Sequence, residues 1–192
     1  MSDQYAGELA DVRNREDLAA LMAAGAQPKW VMFWGHTPRK GGGTNQECLS
    51  QWWPCRFTVD GVAYPSAEHW MMAGKARMFG DEAVEQRILA ARTPAEAKKL
   101  GRLVRGFDDQ VWAAGRFDLV VEGNVAKFSQ DEALRAYLLG TGGRVLVEAS
   151  PLDRIWGIGL AADDVRAERP VEWRGLNLLG FALMEARARL AR

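Results

Sequence analysis

Short apolar bursts, set apart by glycine, proline and capping residues, give the expected elements. Leu9, Val12, Leu18, Leu21 and Met22 form an imperfect helical stripe, with Asn14 or Asp17 placed to cap its second half, so residues 1–29 read as an Ala-rich helical appendage. Trp30-Val31-Met32-Phe33-Trp34 reads as a buried strand, and residues 35–46, with Gly41-Gly42-Gly43, as a surface loop rather than a phosphate cradle, because no P-loop pattern surrounds the lysine before the triplet. Asp60-Gly61 between β-prone residues 57–64 predicts a hairpin. Helix starts follow at Ser66, at Asp81, at the Thr93-Pro94-Ala95-Glu96 box, after the turn at 107–109, at Gln130-Asp131 and at Asn177. Val145 to Ala149 alternates as a half-buried strand, and residues 161–172 form a polar loop. The sum is an α+β fold: a helix-dominated single domain over 30–192 with a few short antiparallel strands.

One helix start stands out. Ser66 is a good N-cap and Pro65 stops any earlier helix. From Ala67 a turn of ~100° per residue puts Glu68, Met71, Met72 and Lys75 on one face. Glu68 and Lys75 lie two turns, ~10 Å, apart, too far for a simple ion pair and suited to flanking one ligand. The plainer role for Glu68 is a favourable charge at a helix N-terminus, and for Lys75 a solvated cation.

Composition narrows the function classes. The 25 basic and 25 acidic residues give no net charge, which argues against a protein built to hold many phosphates but not against an enzyme touching one nucleotide. No apolar run approaches membrane-spanning length, and the first residues lack the order of a signal peptide. Cys48 and Cys55 lack partners at zinc spacing, so neither a metal nor an organic cofactor is expected; reduced thiols point to a cytoplasmic protein. Eight tryptophans are unusual: half or more are expected in the core, the rest as stacking faces for a base. Trp52 and Trp53, delivered by the hairpin towards Glu68, are the first candidates for that role.

Several motifs then line up in order: Leu49-Ser50-Gln51-Trp52-Trp53-Pro54-Cys55, Tyr64-Pro65-Ser66-Ala67-Glu68-His69, Ala97-Lys98-Lys99-Leu100-Gly101-Arg102 and Lys127-Phe128. They continue with Leu146-Val147-Glu148-Ala149-Ser150 and Asp153, then Trp156-Gly157-Ile158-Gly159, and Trp173 before Gly175-Leu176-Asn177-Leu178-Leu179-Gly180 and Leu183-Met184-Glu185-Ala186-Arg187. In this the chain resembles the NADAR or YbiA-like N-glycosidases from about Trp30 to Leu190, departing in residues 1–29 and in the 35–46 loop. The resemblance implies cleavage of a ribose–base bond, either of ADP-ribose on guanine or of ribosylamino-pyrimidine phosphates of riboflavin synthesis. It also implies that Glu68, Trp112 and Asp153 are catalytic and that Lys75 acts covalently through an imine with the sugar.

The residues fit such chemistry. Positive charge builds on the sugar as the C1′–N bond breaks, so a carboxylate at Glu68 or Asp153 stabilises it or activates water. Lys75 beside two methionines is desolvated in this reading, which favours the neutral, attacking amine. His69 is placed to protonate a leaving base, or simply to bond the backbone at the helix start. Arg102 and Lys98 are candidate phosphate holders. Trp156 and Gly157 belong to a glycine-bearing turn that admits close backbone approach, and are further substrate-binding candidates. The alternative from another class is a catalytically silent ADP-ribose or nucleotide-binding module, which needs aromatics and phosphate donors but not Glu68, Lys75 and Asp153 together.

Overall fold

The structure, a computed structural model, describes residues 4–37 and 43–192. The Gly41-Gly42 part of the glycine triplet lies outside the described residues. In chain order come α1 (Ala6–Asp11), α2 (Arg15–Ala23), β1 (Trp30–Phe33), a 3₁₀ turn (Gln46–Leu49) and the β2–β3 hairpin (Phe57–Val59, Val62–Tyr64). Then follow α3 (Ala67–Met78), α4 (Glu82–Leu89), α5 (Pro94–Gly101), α6 (Asp109–Ser129), α7 (Glu132–Gly140), β4 (Val145–Glu148) and α8 (Leu178–Leu190). Helices dominate, as expected.

Local chemistry explains most boundaries. Asp60 and Gly61 have φ of 50° and 78°, the left-handed pair that a two-residue hairpin turn needs. Asp81, Thr93, Asp108 and Asp131 each accept a backbone N–H at the start of the helix that follows. The Thr93 box is shifted by one residue: Glu96 Oε2 accepts the N–H of Arg92 at 2.9 Å rather than that of the cap itself.

Two expectations need correction. The sheet is not wholly antiparallel: β2 pairs antiparallel with β3, but β1 pairs parallel with β4, Trp30 opposite Val145 through Phe33 opposite Glu148. Nor is β4 half-buried, since Val145, Leu146 and Val147 are each wholly shielded from solvent. A parallel strand covered on both faces is written as a continuous apolar run, and the brief polar step at Glu148 looks like alternation. On the far side, β1 is the less buried strand, and Trp34 just beyond it is exposed.

The core is one continuous cluster in which α6 and α8 pack together, α8 covers β4, and α3 lies against α4, α5 and α6. Residues 4–29 share it: Leu9, Val12 and Leu18 are buried there, and Arg13 pairs with Glu185 of α8 at 2.6 Å.

Asn177 joins α8 to β4. Its backbone is left-handed (φ 55°), its side-chain amide N–H donates to Leu146 O, and its Oδ1 accepts the N–H of Glu148, both at 2.9 Å. One turn later Gly180 lies against the same strand, and a Cβ there would collide with the Leu146 carbonyl and sit 2.5 Å from the Asn177 amide nitrogen. An exposed helical Gly→Ala change gains up to ~1 kcal/mol of propensity. Overpacking against a fixed carbonyl costs about 1–3 kcal/mol. Gly180→Ala is therefore expected to lower the thermal midpoint by several degrees, read by calorimetry; a rise would show that α8 stands off from β4.

Candidate active site

Ser66 caps α3 weakly through the backbone, its Oγ 3.5 Å from the N–H of His69, and more firmly through the His69 ring, 2.8 Å from Nδ1. With the serine hydroxyl donating to Nδ1, Nε2 carries the proton and donates to Ala91 O at 3.2 Å. Burial lowers the His69 pKa, so this wholly enclosed ring is a neutral strut between α3 and the end of α4, not a proton donor to a ligand.

The helix so fixed presents Glu68, Met71, Met72 and Lys75 to one cavity of about 260 Å³. The segment before the hairpin adds Gln51 and Trp52, α5 adds Lys98, Gly101 and Arg102, and α6 adds Trp112. Glu148 at the end of β4, Asp153, Ile155 and Trp156 in the following loop, and Leu179 of α8 close the rest. Lys127, buried within α6, holds the Gln51–Trp52 wall from behind by donating to Cys48 O at 2.6 Å and Ser50 O at 2.8 Å.

Carboxyl groups dominate the chemistry. Glu68 is 2% exposed, and burial pushes its pKa up to about 7 against the pull of Lys98, a hydrogen bond from Trp52 and the more distant Arg102. Glu148 is pushed up to about 8, first by burial and then by the nearby charges of Asp153 and Glu68. One oxygen of each, Glu68 Oε1 and Glu148 Oε2, is buried with no hydrogen-bond partner. Asp153 is differently held: its Oδ1 accepts the N–H of Ile155 at 2.8 Å and of Trp156 at 2.7 Å. It is thus a turn aspartate and a cavity residue at once.

A further buried acceptor belongs to Gln51, another cavity residue. Asn124 donates to Val120 O, so its Oδ1 receives the Gln51 amide N–H at 3.1 Å, and Gln51 Oε1 is left buried without a donor.

Lys75 donates to Gly101 O at 3.0 Å and lies 4.0 Å from the Phe107 ring centroid and 5.7 Å from that of Trp112. Desolvation among these apolar groups lowers its pKa, opposed by Asp109. The cysteines offer no rival nucleophile: both are free, and burial pushes the Cys48 thiol up to about 12 and the Cys55 thiol in the same direction. Among the described residues no group of three histidine, cysteine, aspartate or glutamate side chains could hold a metal ion.

Of the residues singled out by sequence, Glu68, Lys75, Asp153, Trp112, Trp52, Arg102 and Trp156 line this cavity, as does Lys98. Three do not. His69 is the strut described above. Trp53, next to Trp52, turns into the core and is 8% exposed. Gly157 is buried behind the cavity wall, where a Cβ would sit 2.8 Å from Glu148 O, so its close approach is to the protein's own backbone. Sequence reasoning missed Glu148 and Gln51 as cavity groups; the one signal for Glu148 is a lone carboxylate ending an apolar run.

Comparison with known proteins identifies the family. The NADAR domain model matches residues 32–191. The chain is 42% identical over 164 residues to N-glycosidase R617 of Acanthamoeba polyphaga mimivirus, covering 83% of this chain and 95% of that protein. It is 32% identical over 146 residues to Riboflavin biosynthesis protein VVA0006 of Vibrio vulnificus, which covers 76% of this chain but only 36% of that longer protein. The NMR structure of the Escherichia coli protein YbiA superposes with a TM-score of 0.68 at 28% identity, over 86% of each chain. With a family model spanning most of its length and a cavity assembled from the same motifs, the chain belongs to the NADAR family.

Proposed function

We propose that the N-glycosidase activity of this chain acts on a ribose–base bond in a phosphate-bearing substrate, first of all ADP-ribose joined to guanine. A ribosylamino-pyrimidine phosphate is the second substrate class, favoured by the name of the Vibrio vulnificus relative. The observation that carries the reading is the convergence on one cavity of a desolvated amine, carboxyl groups of raised pKa and the cations Lys98 and Arg102. Trp52, Trp112 and Trp156 offer ring faces to a base or to the sugar. Lys98 and Arg102 suit phosphate.

In this reading the Lys75 amine attacks C1′ and the base departs with the bonding pair. Glu68 takes the proton released from the attacking amine, Asp153 faces the positive charge on the sugar, and water later frees the sugar from the lysine. A silent binding module accounts less well for the site. It would gain nothing from buried carboxyl oxygens without partners, which cost stability and repel an anionic ligand once charged. Two free thiols fit a reducing compartment such as the cytoplasm.

Glu68→Gln keeps the shape of the side chain and removes its charge. Base release from ADP-ribosylated guanine nucleotide, followed by chromatography, is expected to fall ~100-fold or more with the melting temperature retained. Near-normal turnover would return Glu68 to the role of a helix-start charge. Borohydride added during turnover is expected to trap the sugar portion on Lys75, located by peptide mapping, and Lys75→Ala to give neither adduct nor base. Full activity in Lys75→Ala would make direct water attack the mechanism.

A further inference from the structure

Bond cleavage needs a proton for the departing base, and the residue first suited to that role by sequence, His69, does not line the cavity. The proton donor must therefore be another cavity group that keeps its proton near neutral pH. Lys98 and Arg102 point to anions rather than to a base nitrogen, and Glu68 is taken as the proton acceptor. Glu148 remains. It ends the buried parallel strand, where its N–H is received by Asn177 Oδ1 at 2.9 Å and its carbonyl accepts the N–H of Ile158 at 3.0 Å. The backbone is thus fixed on both sides, and the side chain enters the cavity with Oε2 buried and unpartnered.

We propose that Glu148 is a further catalytic residue, the general acid that protonates the leaving base. This rests on the N-glycosidase reading above. The C1′–N bond breaks, its electron pair goes to the base nitrogen, and that nitrogen takes the proton from the Glu148 carboxyl. The Lys75 nitrogen forms the new bond to C1′ and gives its own proton to Glu68. The resulting glycosylamine opens to the imine as the C1′–O4′ bond breaks, O4′ taking the bond's electron pair and the proton still on the lysine nitrogen. Water then hydrolyses the imine to free amine and sugar aldehyde, and the proton held by Glu68 passes to Glu148, which restores the site.

The charged groups that face Glu148 are Glu68 from α3, Asp153 from the following loop and Lys98 from α5. Its neighbour across the sheet is Phe33 of β1, and α8 contributes the uncharged Asn177. Two carboxylates against one lysine, around a buried side chain, favour the protonated form, in line with a pKa raised to about 8. Both carboxyls are raised by burial, but Lys98 and a hydrogen bond from Trp52 favour the charged form of Glu68, whereas Asp153 and Glu68 itself disfavour that of Glu148. The neighbours thus mark Glu68 as base and Glu148 as acid.

The sign for activity follows. Glu148 must be protonated, so turnover falls as pH rises through about 8. The test compares wild type, Glu148→Gln and Glu148→Asp for base release from ADP-ribosylated guanine nucleotide between pH 5.5 and 9.5, with ADP-ribose affinity by calorimetry. Glu148→Gln is expected to lose ~100-fold or more in kcat, with KM and ADP-ribose affinity within about threefold and the alkaline fall abolished. Glu148→Asp is expected to restore part of the rate with the alkaline fall displaced. Near-normal kcat in Glu148→Gln, or a loss in which the alkaline fall persists, would overturn the proposal. If wild type releases no base from either substrate class, it is the proposed function that fails. Infrared difference spectra between pH 6 and 10 then decide for Glu148: no protonated-carboxyl band removed by Glu148→Gln would overturn its standing as a proton holder.

Discussion

Three carboxyl groups share one small cavity, two of them buried, and they cannot all be charged. Coulomb repulsion at short range and the cost of taking a carboxylate out of water both work against full ionisation, so the lowest state keeps a proton within the group. Glu68 and Glu148 are the most enclosed, each with an oxygen that has no partner, and Glu148, with two carboxylates beside it, is the one that holds the proton. Such an arrangement is costly to the fold and has no packing rationale. It is retained only if the surrounding structure over-determines it.

The surroundings do so with hydrogen bonds placed behind the cavity. Asn177, held left-handed and wholly buried, clamps Leu146 O and the Glu148 N–H, so the strand end cannot fray to let Glu148 reach solvent. Behind the opposite wall, Lys127 ties down the Cys48 and Ser50 carbonyls, while the Gln51 carbonyl accepts the N–H of Glu68 at 2.9 Å. The Ser66–His69–Ala91 chain fixes the start of α3 from a third side. Fold and site are therefore one construction, in which Asn177, Lys127, Ser66 and His69 behind the cavity find their partners while carboxyl oxygens inside it stay without one.

How far this was legible in the sequence depends on the range of the interactions. The α3 start was readable because cap, proline and helical spacing act within a dozen residues, and the face they predict is the face that lines the cavity. The hairpin was readable because Asp60-Gly61 fixes its own turn. Glu148 was not: its role depends on β4 pairing in parallel with β1, more than a hundred residues earlier, and on α8 covering the same strand. Read locally, Val145 to Ala149 alternates and a glutamate at its end belongs in solvent. His69 failed for the opposite reason, since its neighbours in sequence suggested chemistry while Ala91, twenty-two residues on, takes its ring nitrogen. Trp52 and Trp53 could not be told apart without the turn that sends one to the cavity and the other to the core.

Lys98 and Arg102 also act on the carboxyl groups. Lys98 draws the proton affinity of both Glu68 and Glu148 downward, and Arg102 that of Glu68. A phosphate seated on these side chains would offset their charge, and the carboxyls would then hold protons more tightly than in the free site. For Glu148, as donor, that shift secures the proton until the base takes it. For Glu68, as acceptor, it raises basicity at the moment the amine must lose a proton. An anionic substrate thus tunes the two groups in the directions their roles require, whereas a neutral nucleoside would leave Lys98 and Arg102 free to hold both affinities down. The charge of the phosphate in this way becomes part of the chemistry at C1′, and a site built so should discriminate between nucleotide and nucleoside in turnover as well as in binding.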